Sequence, residues 1–383
     1  MSSGAALAGI FDVAVVGAGI MGLACARAAA ARGLRVVVID RDAQANGASV
    51  RNFGFITVTG QERGMVWNRA RRTCALWREV AEQAGIAILQ EGLWMTTRRA
   101  EAVPLLEAFV KTEMGDGCEI LSPPLARVRS SDLRGSDVAA VLLSANDIRV
   151  ESREAIPKLA AWLAERHGVV FLRETTVLAA TPPRLETSRG WVHAGAVVVC
   201  PGDDHTGLFP ERIAAYGVTR CRLQMMRLAA PGYRLPHAVM SDLGLLRYPG
   251  YSALPESARL RLRLEAEQPD HLAHGVHLII VQSADGSMIV GDSHYYAATP
   301  GPFADARIDR LILEEFSLAT GRQPPAVTER WTGTYSSAAG RTMFVDAPAA
   351  DVRMVIITSG SGASTGFAIG EEVIADLFNR SVP

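Results

Sequence analysis

The chain reads as an α/β protein whose parallel-sheet layer is assembled from its start, middle and end, with a mostly antiparallel, strand-rich unit inserted between. Three stretches carry that reading. Residues 12–40, DVAVVGAGIMGLACARAAAARGLRVVVID, run strand, glycine turn, helix, strand, acid. Residues 196–200 form an apolar strand that stops at Pro201-Gly202, and residues 354–378 run strand, glycine-rich turn, helix. Apolar runs of this length bounded by turn residues suit strands buried on both faces.

Gly17, Gly19 and Gly22 stand at G-x-G-x-x-G spacing where the first strand must become a helix. That spacing permits a tight turn, close approach of backbone to a pyrophosphate, and close packing of helix on strand. Residues 20–32 are rich in alanine and leucine, good helix formers, and Gly33 ends them. A second strand, 34–39, leads to Asp40, whose carboxylate can accept hydrogen bonds from a ribose. Strand before, helix behind and acid at the right distance together imply a bound adenine dinucleotide.

Further along, residues 62–84 form an amphipathic helix closed by Gly85, and 86–97 read as strand pieces around Glu91-Gly92. A surface helix is expected over 101–114 and a strand over 138–144. Ser152 is placed to cap a helix over 153–167 that Gly168 ends. Strands follow at 169–172 and 175–180, with 184–193 as hairpin partner. Beyond Tyr216 helical signals thin out and strands dominate: 223–228, 245–248, 277–282 and 287–291, the last two joined by the Asp285-Gly286 turn. Residues 306–320 are an amphipathic helix. The first eleven residues read as a disordered lead-in. At 383 residues two domains are expected: a discontinuous nucleotide-binding unit (1–85, 140–215, 338–383) and a second unit (86–139, 216–337).

A hydrophobic content of 49% with a net charge of −1 describes a globular enzyme and gives no basis for nucleic acid as partner. No apolar run is long enough for a membrane span. The five cysteines are scattered without C-x-x-C spacing, which fits buried thiols in a reducing cytoplasm.

The C-terminal segment TSGSGASTGFAIGEEVIADLF resembles the closing strand–turn–helix of the D-amino-acid, glycine and sarcosine oxidase family of flavoproteins. By itself the segment also fits a glycine loop capping a buried helix. With the N-terminal motif and VVVCPG, the resemblance covers essentially the whole chain. It implies a glutathione-reductase-like, Rossmann-type FAD-binding domain and an α+β substrate domain on a mostly antiparallel sheet. The strings GASVRNFGF, VVVCPGDDHTGLFPE, CRLQMMRLA, LLRYPGY and HLIIVQSADGSMIVGDSHYY are similar to a bacterial clade associated with aminophosphonate breakdown.

The resemblance implies an FAD site formed by Gly17, Gly19, Ile20, Met21 and Gly22, with Asp40 and Arg41 at the adenosine ribose. Ala48 and Ser49 would approach the pyrophosphate, and Arg51, Asn52, Phe53 and Gly54 would line the flavin ring and ribityl chain. Val177 would contact adenine through its backbone, and Gly202 would pack near the ribityl or phosphates. Gly360, Gly362, Ser364 and Thr365 would bring backbone N–H groups and a helix N-terminus to the flavin, where positive potential stabilises its reduced, anionic form.

Departures from the family pattern point to the substrate. Glycine and D-amino-acid oxidases carry, after a tryptophan, an arginine that clamps the substrate carboxylate. Here Trp331 is followed by Thr-Gly-Thr-Tyr, and Tyr335 stands in the arginine's place. A hydroxyl cannot replace a guanidinium fork. An anion would need Arg51, Arg247 or Arg341, with His277 and His294 as further donors. Arg247, in an apolar stretch, demands a partner. Tyr335, Trp331 and Gln224 would shape the pocket, with Arg247 and His294 orienting the anion.

Sarcosine oxidases use a lysine for reaction with oxygen and a late cysteine to hold flavin covalently. The only lysines here, Lys111 and Lys158, fall in peripheral helices, and no cysteine follows Cys221. Noncovalent FAD is therefore expected. If oxygen is the acceptor, His294 or an arginine would supply the positive group. The expected reaction is oxidation of a 2-aminoethylphosphonate derivative, N-methylated or 1-hydroxylated, to imine and then aldehyde plus amine, with oxygen reduced to peroxide. A glycine, sarcosine or D-amino-acid oxidase, a dehydrogenase using a carrier, and a flavin-binding subunit of a larger enzyme stay open, as does the oligomeric state.

Overall fold

The structure, a computed structural model, describes residues 6–130 and 137–379. Its first sheet has eight strands, with Val352–Ile357, Gly190–Val199, Ala6–Val16, Val36–Ile39 and Val170–Leu172 paired in that order as parallel neighbours. Met343–Ala349 closes one edge antiparallel, and the meander Val177–Thr181, Arg184–Thr187 extends from Gly190–Val199. Side chains alternate between two cores, as strand geometry requires. Val13, Val15, Val36 and Val38 face one cluster, whereas Ala14, Val37, Ile39 and Val197 face another.

On the first face pack the helices Ile20–Ala30, Met65–Ala84, Ser152–His167 and Gly362–Phe378. The first and last cross closely: a Cβ on Gly370 would lie 2.7 Å from the backbone of Ala24. Trp77, 2% exposed, donates from its indole Nε1 to Ala363 O at 2.9 Å and ties the second of these helices to the last.

The second sheet has ten strands and is antiparallel except where Ala238–Ser241 runs parallel to Ile88–Thr97. Helix Ala306–Thr320, capped by the Asp305 carboxylate accepting from Arg307 N, covers its far face through Ile308, Leu311, Ile312 and Phe316. The α/β architecture is therefore the expected one.

Several local expectations are corrected. Residues 6–11 belong to the first strand instead of a disordered lead-in, because they pair alongside residues 191–194; residues 1–5 lie outside the described part. Residues 244–273 hold four helices, Gly244–Arg247, Pro249–Ser252, Ser257–Glu267 and Pro269–Ala273, so 245–248 is not a strand. Burial of Leu245, Tyr251, Leu260 and Leu264 against the core sets their helical spacing. Residues 88–97 form one strand with register shifts near Glu91. Ser152 does not cap its helix; its hydroxyl donates to Asn52 Oδ1 at 2.7 Å. The strands Phe55–Ile56 and Ala140–Val150, expected with the nucleotide-binding unit, pair in the second sheet. No helix among the described residues is long and apolar enough to cross a membrane.

Candidate active site

Where the first strand ends, Gly17 adopts φ +101°, and a Cβ on Gly22 would collide with Gly17 O. The turn thus exists only with hydrogen at both positions, and it lays the helix start directly on the strand. Asp40, at the end of the neighbouring strand, accepts from Ala18 N through Oδ2 and holds the turn from the side. Ser49 Oγ accepts from Ile20 N at 2.9 Å and brings residues 48–50 to the same helix end. The loop is then locked by Asn52, which donates to Ala48 O at 2.7 Å and accepts from Gly54 N at 2.6 Å.

The last helix starts at Gly362, inside the glycine-rich stretch, so Ser364 lies in its first turn and Thr365 just beyond. Thr57 N donates to Ser364 Oγ at 2.8 Å, and Thr365 Oγ1 donates to Ser361 O at 2.9 Å. Neither this helix nor Ile20–Ala30 has a side-chain N-cap or an acidic residue in its first turn. Both N-termini open on one cavity of about 880 Å³. Although Ser49 already accepts from Ile20 N, both helix ends present further first-turn N–H groups and positive potential, which suits an anionic pyrophosphate and a flavin.

Of the residues expected to hold a dinucleotide, Gly19, Ile20, Met21, Gly22, Ala48, Ser49, Arg51, Asn52, Phe53, Gly202, Gly360, Gly362 and Ser364 line this cavity. Gly17, Asp40, Arg41, Gly54, Val177 and Thr365 do not. Arg41 pairs with Asp204 at 2.7 Å, and Val177 is buried in the meander.

Beyond the glycine turns the wall changes character. Tyr335, on strand Val327–Ser337, lies over Gly360, whose Cβ position is 3.2 Å from the ring. Arg247 ends its short helix and donates to Tyr296 Oη at 3.0 Å and Tyr335 Oη at 3.3 Å. His277, Asp292 and His294 line the same wall. Backbone pairing of His277 with Asp292 across the hairpin assembles this trio. Burial and then the Arg247 charge push His294 down to about 3. Burial, His294 and Arg247 likewise push His277 well below its ordinary value. Asp292 is raised by burial to about 8 despite Arg247. Both imidazoles are therefore neutral at pH 7, which corrects the expectation of His294 as a cation; Arg247 holds the charge on this wall.

Two further expectations are corrected. Gln224 points away from the cavity, with its amide held by Asp305 and Asp309 on the sheet's far side. Trp331 sits outside the lining, donating to Arg51 O at 3.1 Å under the Arg153 guanidinium. Arg51 is tethered to Asn46 at 3.1 Å, and Arg341 lies at the exposed rim over Tyr216. Sequence reasoning passed over Asp292 and Tyr296, although Asp292, His294 and Tyr296 share a two-residue spacing that puts extended-chain side chains on one face.

The paired glycine turns and the cavity between two sheets define a flavin-dependent oxidoreductase. The chain belongs to the FAD dependent oxidoreductase family, whose model it matches over residues 12–377. No curated protein sequence matches it significantly. Among solved structures it is similar to glycine oxidase from Bacillus cereus ATCC 14579, at 15% identity over 97% of this chain and 96% of that one, with TM-score 0.77. It is also similar to L-proline dehydrogenase from P. horikoshii (19%; 97% and 94%; 0.76). A third likeness is to FAD-bound L-alpha-glycerophosphate oxidase from Mycoplasma pneumoniae (14%; 98% and 96%; 0.75). At these identities the likeness concerns the fold.

Proposed function

We propose that the protein oxidises a short amine bearing an anionic head, with 2-aminoethylphosphonate derivatives, N-methylated or 1-hydroxylated, as the substrate class. The observation that carries this reading is the pairing of Tyr335 with Arg247. The guanidinium is held over the cavity by the hydroxyls of Tyr296 and Tyr335, while position 335 itself offers no fork for an α-carboxylate. Arg247 with two phenols can surround a tetrahedral dianion, and the neutral imidazole of His294, whose Nδ1–H is given to Gly275 O, offers an acceptor at Nε2 beside it.

FAD, when bound, would supply a two-electron acceptor for hydride from the carbon next to nitrogen. The chain's part is to position and exclude water. Gly19 to Gly22, Ala48 to Phe53, Gly202 and Gly360 to Ser364 would hold FAD noncovalently, with Asp40, Arg41 and Val177 toward its adenosine end. The imine then hydrolyses to aldehyde and amine, and oxygen is the proposed final acceptor.

A glycine, sarcosine or D-amino-acid oxidase is the second reading, and Arg247 favours it to the extent that its fork can receive a carboxylate. Anaerobic mixing of the yellow protein with N-methyl-2-aminoethylphosphonate, sarcosine, glycine and D-alanine separates the two. Bleaching by the phosphonate alone supports the proposal, and bleaching by the amino acids alone rejects it. Peroxide formation after admitting air distinguishes oxygen from a carrier as acceptor.

A further inference from the structure

Near Arg247, the cavity wall contains an acid with no assigned use. Asp292 is 4% exposed, and its Oδ1 has no hydrogen-bond partner. His277 Nδ1 lies 3.1 Å from that oxygen but out of line for a hydrogen bond, and it too lacks a partner. An unsatisfied buried carboxyl oxygen beside a cavity is costly unless a ligand satisfies it. We infer that Asp292, flanked by His277 and His294, is the ammonium-binding and proton-accepting half of the substrate site. This inference rests on the amine-oxidising reading and deepens it: the substrate class is a short zwitterion, anion toward Arg247 and nitrogen toward Asp292.

A metal ion is the competing occupant, since the donor atoms of His277, Asp292 and His294 lie within 4.8 Å of one another. One fact weighs against it: Arg247 acts electrostatically on all three residues, and a fixed cation repels a dication.

The proton balance is simple. Around Asp292 stand Arg247 and Tyr248, His277 and His294, and Cys221, with Tyr296 and Tyr335 on Arg247. Of these only Arg247 is charged at neutral pH. Asp292 is therefore a carboxylic acid in the empty cavity, and the substrate arrives as an ammonium ion. Docking sends one proton to solvent and leaves one shared between nitrogen and Asp292. When that proton is on Asp292, the nitrogen has its lone pair and the adjacent carbon can release hydride.

The test uses the holoenzyme and ligands that lack hydrogen on the amine carbon, so no oxidation occurs. These are 2-amino-2-methylpropylphosphonate and its amine-free isostere 2,2-dimethylpropylphosphonate, mixed with protein in weak buffer at pH 7 containing a pH indicator. The amine is expected to release close to one proton, fading by about pH 9 as Asp292 ionises beforehand, and to bind at least about tenfold tighter than the isostere. Asp292→Asn should lower the release by close to one proton, leaving only what the phosphonate's second ionisation contributes, and abolish the preference. If that variant does not fold, the wild-type release with 2-aminoisobutyrate, whose carboxylate is already ionised at pH 7, carries the test. A second pair, 2-aminoisobutyrate and pivalate, separates the two readings. Release with this pair and no phosphonate binding would sink the phosphonate assignment and leave Asp292 standing. No release with either amine, or one equivalent of transition metal in the purified protein, would overturn the inference.

Discussion

Arg247, which donates to Tyr296 and Tyr335 beside the cavity, is the charge that the proposed reading sets against the substrate's anion. Replacing Arg247 by Gln removes a charge-assisted hydrogen bond of about 1.5–3 kcal/mol. A rise in KM of roughly 10- to 100-fold for the anionic amine, with kcat less affected, is the expected steady-state result. Asp292 contributes a pH dependence of stability with a definite sign. Between about 3.9, its unfolded value, and about 8 in the folded protein, the native state holds a proton that the unfolded chain has released. Stability attributable to this group therefore falls as pH rises through that window. Urea midpoints of Asp292→Asn and wild type, compared at pH 5 and pH 9, should diverge in favour of the variant at the higher pH. Arg247 could be singled out in the sequence as a cation needing partners. Asp292 was passed over: spacing places it beside His294, but its unsatisfied oxygen meets His277 and Arg247 only after the hairpin folds.

At the scale of elements, the first and last helices depend on each other. Their backbones cross at Ala24 and Gly370, and both leave uncapped N-termini at the same cavity. Gly370→Ala would place a methyl group 2.7 Å from the Ala24 backbone. Overpacking of this kind costs about 1–3 kcal/mol, so a lowered thermal midpoint and weaker FAD retention are expected together in a melt monitored by flavin fluorescence. The strand–glycine–helix units at both ends were legible because period-2 apolar runs and glycine spacing are local signals. The helices over residues 244–273 were not. They are short and begin on a proline or without capping residues, and burial of Leu260 and Leu264 on one face is a tertiary requirement.

Across the whole molecule, the cavity draws on segments from Gly19 to Ser364 and from both sheets. FAD binds only that assembled form, so it should stabilise the fold by mass action, by about 2.7 kcal/mol at a hundredfold excess over Kd. Thermal midpoints of flavin-stripped protein should rise with added FAD, and Gly22→Ala, which forces a Cβ onto Gly17 O, should abolish the rise. The sequence by itself determined the family, the α/β class and most of the residues that line the nucleotide end, because a dinucleotide site is made largely of backbone in a fixed local pattern. Only the tertiary structure decided the arrangement of the cavity wall beyond the glycine turns. It turned Gln224 and Trp331 away, neutralised the two histidines by burying them beside Arg247, and exposed Asp292 to the cavity. Those outcomes depend on desolvation and on distances between distant strands, and no local pattern of residues encodes either.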